Sequence, residues 1–125
     1  MIIVLDATAW FAYLNGTPEG EVVRDYLDKA DEAVTPASVA AEVAQAARAR
    51  KDNPSEYVHF LESRTRIEPI TADIALRAGK LLATHPSGLL RVHDAFVVAT
   101  AQALGGRLLS LNPALEGLED IVPLG

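Results

Sequence analysis

Apolar residues in this chain come in two patterns, short unbroken runs and helical stripes, and the two alternate from one end to the other. Residues 1–5, MIIVL, form an unbroken run of strand length. Residues 8–14 form a short helical segment closed by Asn15-Gly16. Residues 19–29 carry a stripe of Val22, Val23, Tyr26 and Leu27 and predict a second helix. A short strand is expected at 33–34. Thr35-Pro36 then reads as a helix start, with Thr as cap and Pro in the first turn, and that helix runs to about Arg50. Asn53-Pro54 opens another helix to roughly Glu62, and a strand is predicted at 67–70. Thr71 caps a helix to about Ala83, and residues 85–88, His-Pro-Ser-Gly, read as a loop. Residues 92–104 form a helix closed by Gly105-Gly106. Strands follow at 107–110 and 120–122.

Short apolar strands alternating with helices predict βαβ units, hence an α/β fold with a mainly parallel sheet and helices on both faces. Pro and Gly fall between the periodic segments, and there is no repeat or linker-like tract. The 125 residues read as a single domain, 1–125. In such sheets ligands bind beyond the carboxyl ends of the strands. Asp6 stands at one such end, and Asn112 follows another, after LLSL.

Composition narrows the chemistry. The chain has no cysteine, which removes thiolate nucleophiles, zinc–thiolate sites and disulfides. A net charge of −6 argues against a generally basic nucleic-acid surface, but not against nucleic acid as a substrate held by metal-neutralised acids. The first residues lack a basic signal region, and the longest apolar stretch, 95–104, is far short of a bilayer span. The expectation is a cytoplasmic protein with no membrane association.

Three acids occupy edges of apolar elements. Asp6 ends the first strand. Asp94 is the only acid of the helix VHDAFVVATAQAL, in its first turn on the face of Val98 and Ala101. Glu42 lies in the alanine-rich helix, beside Val39 and Ala46 on one side and Ser38 and Gln45 on the other. Each has an ordinary explanation: helix capping or dipole compensation for Asp6 and Asp94, a solvated boundary position for Glu42. Were all three to converge at one sheet edge, their repulsion would call for cations. An all-oxygen set suits Mg²⁺ or Mn²⁺. Such ions can activate water and neutralise charge on a transferring phosphate.

The order of these features resembles a PIN domain, and within that family a VapC-type toxin ribonuclease. The features are Asp after the first strand, Glu following Thr-Pro-Ala-Ser, His-Asp-Ala opening an apolar helix, and Gly-Gly-Arg-Leu-Leu-Ser-Leu-Asn. The resemblance covers essentially the whole chain. It implies a three-layer α/β/α, Rossmann-like fold and Mg²⁺- or Mn²⁺-dependent endoribonuclease activity. It assigns Asp6 and Asp94 to a principal metal and Glu42 to the same metal, directly or through water. It further implies an antitoxin partner of the VapB type, lying in a groove and pushing a basic side chain toward the acids, and a homodimer. At the family's usual fourth acid this chain has Asn112, which can ligate or hydrogen-bond through its amide oxygen but adds no charge, so a second metal should bind more weakly. Glu116 and Asp120 are the nearby acids that could compensate. Thr8 and Ser110 match hydroxyl positions that orient ligands or water.

Other residues have milder readings. Trp10, Phe11, Tyr13 and Leu14 crowd one short helix, so two or three should enter the core and the rest should form a partner patch with 19–29. Arg48, Arg50, Lys51, Arg64 and Arg66 read first as solvated helix ends and second as phosphate-steering groups. His93, with Arg91 close by, is a surface histidine or a general base. His59 and His85 form no pattern. A catalytically weak or inactive PIN-like binding module is the alternative to a nuclease. A phosphotransfer α/β protein fits less well, because Asp6-Ala7-Thr8 lacks a second Asp and no Lys follows Lys80.

Overall fold

The computed structural model describes residues 1–85, 90–118 and 121–124. The elements are β1 (Ile2–Leu5), α1 (Ala7–Asn15), α2 (Pro18–Lys29), β2 (Glu32–Pro36), α3 (Ala37–Ala49), α4 (Pro54–Arg64), β3 (Arg66–Glu68), α5 (Ala72–Thr84), α6 (Val92–Leu104), β4 (Arg107–Ser110) and β5 (Ile121–Pro123). A short 3-10 turn, Pro113–Leu115, lies between β4 and β5. The predicted residues 86–88 and Asp120 lie outside the described residues.

All four strand pairings are parallel, and the order across the sheet is β3-β2-β1-β4-β5. The chain thus moves outward from β1 to β3, then returns through α5 and α6 to β4 on the other side of β1. Right-handed crossovers put α1–α4 on one face and α5–α6 on the opposite one, a three-layer α/β/α arrangement. The direction reverses between β1 and β4. Their carboxyl ends therefore frame the crevice of the sheet.

The core sits on both faces of the central strands. Ile3, Val4, Leu5, Leu108 and Leu109 are buried from the sheet, with Trp10, Val39, Val43, Leu61, Ile74, Val97 and Val98 from the helices. Helix α6 buries Ala95, Val97, Val98, Ala99, Thr100 and Ala101, as its nearly all-round apolar sequence requires. In α3, Ala40 and Ala47 are buried inside this chain while Ala41 and Ala49 face solvent. Gly20 permits α2 to cross α1 closely, since a Cβ there would lie 2.2 Å from the Ala12 carbonyl oxygen. Gly105 ends α6 at φ 64°, a left-handed conformation that favours glycine.

Two predicted boundaries shift, for physical reasons. Thr35 is not a helix cap. It remains in β2, buried, where its hydroxyl receives the Trp10 indole N–H at 3.0 Å and meets Thr65 Oγ1 at 2.6 Å. Pro36 takes the cap position of α3 with no side-chain bond, so a tertiary demand for the hydroxyl overrode the local one. The strand predicted at 67–70 is instead β3, Arg66–Glu68, because Pro69 has no N–H for the ladder. Of the aromatic cluster in α1, Trp10 is fully buried, Phe11 and Tyr13 are half-buried and Leu14 is exposed. Trp10 and Tyr13 pack edge-on, with Phe60 of α4 against both.

Candidate active site

Asp6 immediately follows β1, and its side chain does two things. It caps α1 by accepting from the Ala9 N–H at 2.9 Å, so the ordinary explanation for an acid at this position holds. It also receives the Thr8 hydroxyl at 2.6 Å on the same oxygen and the Ser110 hydroxyl on the other. Thr8 Oγ1 in turn accepts from the Leu111 N–H at 2.8 Å, and Ser110 Oγ from the Asn112 N–H at 2.9 Å. The two hydroxyls thereby lace the end of β4 to the start of α1 around one carboxylate. Asp6 is only 5% exposed. Burial pushes its pKa up against the pull of the three donors, and the nearby charge of Asp94 adds to the rise.

Glu42 reaches the same place from α3, and Asp94 from the first turn of α6. With Asp6, Ala7, Thr8, His93, Val97, Asn112 and Leu115 they line one cavity of about 180 Å³. The Glu42 carboxyl is also held above its ordinary range, by desolvation first. The His93 ring 2.5 Å away opposes that rise, and Asp6 and Asp94 reinforce it. Among the described residues, no Lys or Arg lines this cavity. Asn112 turns its amide nitrogen to Asp94 Oδ1 at 3.2 Å and its amide oxygen to the Ala114 N–H at 3.0 Å. That oxygen, expected to face a metal, here caps the turn at Pro113–Leu115.

Six residues named from sequence lie in or against this one cavity: Asp6, Glu42, Asp94 and Asn112 in its wall, Thr8 in the wall and bonded to Asp6, Ser110 bonded to Asp6 from behind. Glu116 lies elsewhere, in a neighbouring pocket with Gly117 and Ile121. The contact of His93 with Glu42 was not legible in the sequence, because 51 positions separate them and only the packing of α3 on α6 brings them together. Among the basic residues, Arg64 pairs with Asp28, Arg66 with Glu32 and Glu68, and Arg50 with Asp52, all away from the cavity.

Its donor set is rich in carboxylate and hydroxyl oxygen with one imidazole, and among the described residues His93 beside Glu42 is the one basic side chain in its wall. This chemistry fits a hard divalent cation such as Mg²⁺ or Mn²⁺. Among the described residues no three His, Cys, Asp or Glu side chains are grouped as a formed metal site.

The PIN-domain family model matches residues 3–120. The chain belongs to the PIN-domain family. No curated protein matches it. Among solved structures, this PIN-domain chain is similar to a toxin–antitoxin complex from Klebsiella pneumoniae, with a TM-score of 0.82 at 20% identity over 98% of each chain. VapBC-1 from nontypeable Haemophilus influenzae aligns with a TM-score of 0.79 at 17% identity, covering 99% of this chain and 98% of that one. VapC20 of Mycobacterium tuberculosis, a sarcin–ricin-loop-cleaving toxin, aligns at 0.67 and 18% identity over 87% of each. At these identities the likeness establishes the shared fold. Among the described residues, no helix of this PIN-domain protein is long and apolar enough to cross a membrane.

Proposed function

We propose that this PIN-domain protein is a Mg²⁺- or Mn²⁺-dependent endoribonuclease of the VapC type, the toxin of a toxin–antitoxin pair acting in the cytoplasm. One observation carries the catalytic reading: Asp6, Glu42 and Asp94 line a single cavity at the β1/β4 switch point, with no Lys or Arg in its wall among the described residues. Asp6 and Asp94 would hold the principal metal, with Glu42 beside them. When bound, the cation supplies charge neutralisation at the phosphate and an activated water for in-line attack, leaving a 5′-phosphate.

The chain's own residues prepare that site. Ser110 and Thr8 fix both oxygens of Asp6, so the buried carboxylate cannot rotate away. Asn112 restrains Asp94. Glu42, held by His93 and facing the cavity, is placed to orient the attacking water. Leu115 and Val97 close the apolar side of the cavity and limit bulk water there.

The antitoxin reading is supported by the toxin–antitoxin complexes that share the fold. Exposed Phe60 of α4 against half-buried Tyr13 of α1, with exposed Leu14 next to Tyr13 in the chain, offers an apolar surface for such a chain. A homodimer is part of the same proposal, with the solvent-facing alanines of α3 as a close-packing surface.

The alternative, an inactive binding module, draws on Asn112: its amide reaches the Asp94 oxygen that a fourth acid would face across a cation. One experiment separates them, cleavage of a mixed RNA pool with Mn²⁺ or EDTA by wild type, Asp6→Ala and Asn112→Asp. Metal-dependent cleavage lost in Asp6→Ala establishes the nuclease. Wild-type inactivity rescued by Asn112→Asp establishes the binding module.

A further inference from the structure

The cleft changes character as it leaves the acids. The inner cavity shares Glu42, His93, Asp94 and Asn112 with a larger outer one of about 510 Å³, whose remaining walls are Arg91, Pro113 and Ala114. Among the described residues, Arg91 is the only Lys or Arg lining either part. Its side chain is exposed and, among the described residues, makes no hydrogen bond or ion pair, although Glu42 and Asp94 line the same cavity. Arg64, Arg66 and Arg77, by contrast, are each engaged by carboxylates.

Its place in the helix is a second sign. Arg91 is the N-cap of α6 and provides no capping bond there. A cation at a helix N-terminus opposes the macrodipole, where Ser, Thr, Asp or Asn would stabilise. Helices α1, α2, α4 and α5 all follow that rule, with Asp6, Thr17, Asn53 and Thr71 as caps. The guanidinium is therefore kept at a position where it helps neither the helix nor an ion pair, at the mouth of the acidic cavity.

We propose that Arg91 anchors the RNA backbone: its guanidinium takes the phosphate next to the one cleaved, in the outer cavity, and so sets the register of the strand over the acids. The planar fork suits a phosphate bidentately and carries no base preference. A chain of net charge −6 needs such a local anchor, because its overall field repels a polyanion. This rests on the nuclease reading for its substrate.

The test compares Arg91→Ser with Arg107→Gln, an exposed arginine at the start of β4, the end remote from the site. Binding of a fluorescein-labelled single-stranded RNA is measured against salt with Ca²⁺ present, and cleavage with Mn²⁺. Arg91→Ser should raise KM roughly tenfold, the worth of one charge-assisted bond, with kcat unchanged. The salt slope of binding should fall by about 0.7, one phosphate contact on a single strand. Its thermal midpoint should rise, because Ser caps α6, and its Mn²⁺-dependent thermal shift should persist. Arg91→Lys should recover part of the affinity. A KM and salt slope equal to those of Arg107→Gln overturn the proposal, as does loss of kcat together with the Mn²⁺ shift. RNA binding that depends on Arg91 without any cleavage keeps the anchor and removes the nuclease reading. Absence of both binding and cleavage in wild type overturns both.

Discussion

Two groups of acids in this protein are treated in opposite ways. At the β2–β3 edge, Glu32 and Glu68 both lie on the Arg66 guanidinium, and Asp28 of α2 lies on Arg64. These carboxylates are compensated within the chain, and Arg66–Glu32 links the outer strand β3 to β2. At the β1–β4 crevice, Asp6 is far more deeply buried, yet it shares a cavity with Asp94 and Glu42, with hydroxyl and amide donors around it and, among the described residues, no arginine. The same residue type serves cohesion where it is paired and is left under electrostatic tension where it is not. Carboxylates gathered in one cavity with a single imidazole beside them are the arrangement expected of a functional site and not of a structural ion-pair network.

The comparison is sharpened first by removing a donor from the crevice. Ser110→Ala frees one oxygen of Asp6 and should cost roughly 10–100-fold in metal affinity or cleavage, as loss of an outer-shell partner does. Isothermal titration with Mn²⁺ and steady-state cleavage would both show it. The missing charge can also be supplied from outside. Mn²⁺ at about 100 times its Kd should stabilise wild type by about 2.7 kcal/mol, read as a rise in thermal midpoint. That rise should vanish in Asp6→Ala and survive in Arg66→Ala. An equal response in both would break the contrast between the two regions.

Acidity provides a smaller effect with a definite sign. Asp6 and Glu42 have pKa values above those of an unfolded chain, so the folded metal-free protein binds their protons more tightly. Their contribution to stability is fully present below the ordinary carboxylate range and is lost as pH rises through the raised values. Relative to the double variant Asp6→Asn/Glu42→Gln, metal-free wild type should lose stability on going from pH 4 to pH 7. With saturating Mn²⁺ the trend should reverse, since the cation takes the ionised carboxylates. Thermal scans at several pH values check both directions. The smallest effect is expected at the paired edge: Arg66→Ala should cost about 0–1 kcal/mol, because these pairs are exposed and screened, and should leave cleavage unchanged.

Much of this fold was legible in one dimension, where the signals are local. Period and capping chemistry marked α2, α4, α5, α6 and β4 closely, because Asn53, Thr71 and Gly105 act on backbone groups within a few residues of themselves. Asp6 and Asp94 stood out for a similar reason, each a charge at the edge of an apolar element. Thr35 shows where that logic ends. Its local environment argues for a helix cap, but Trp10 and Thr65, 25 and 30 positions away, claim its hydroxyl. Arg64 and Arg66 likewise looked like members of one basic cluster until their carboxylate partners, 36 and 34 positions away, were placed.

The amino-acid sequence by itself determined the alternation of strands and helices, the family's order of acids and the departure at Asn112. Only the tertiary structure decided that the three carboxylates line one cavity, that His93 meets Glu42, and that Arg91 lines the adjoining cavity with no ion pair among the described residues. Local pattern encodes which backbone conformation a segment prefers. Which charges are compensated depends on side chains from distant elements meeting in space, and that is set by how the strands order across the sheet.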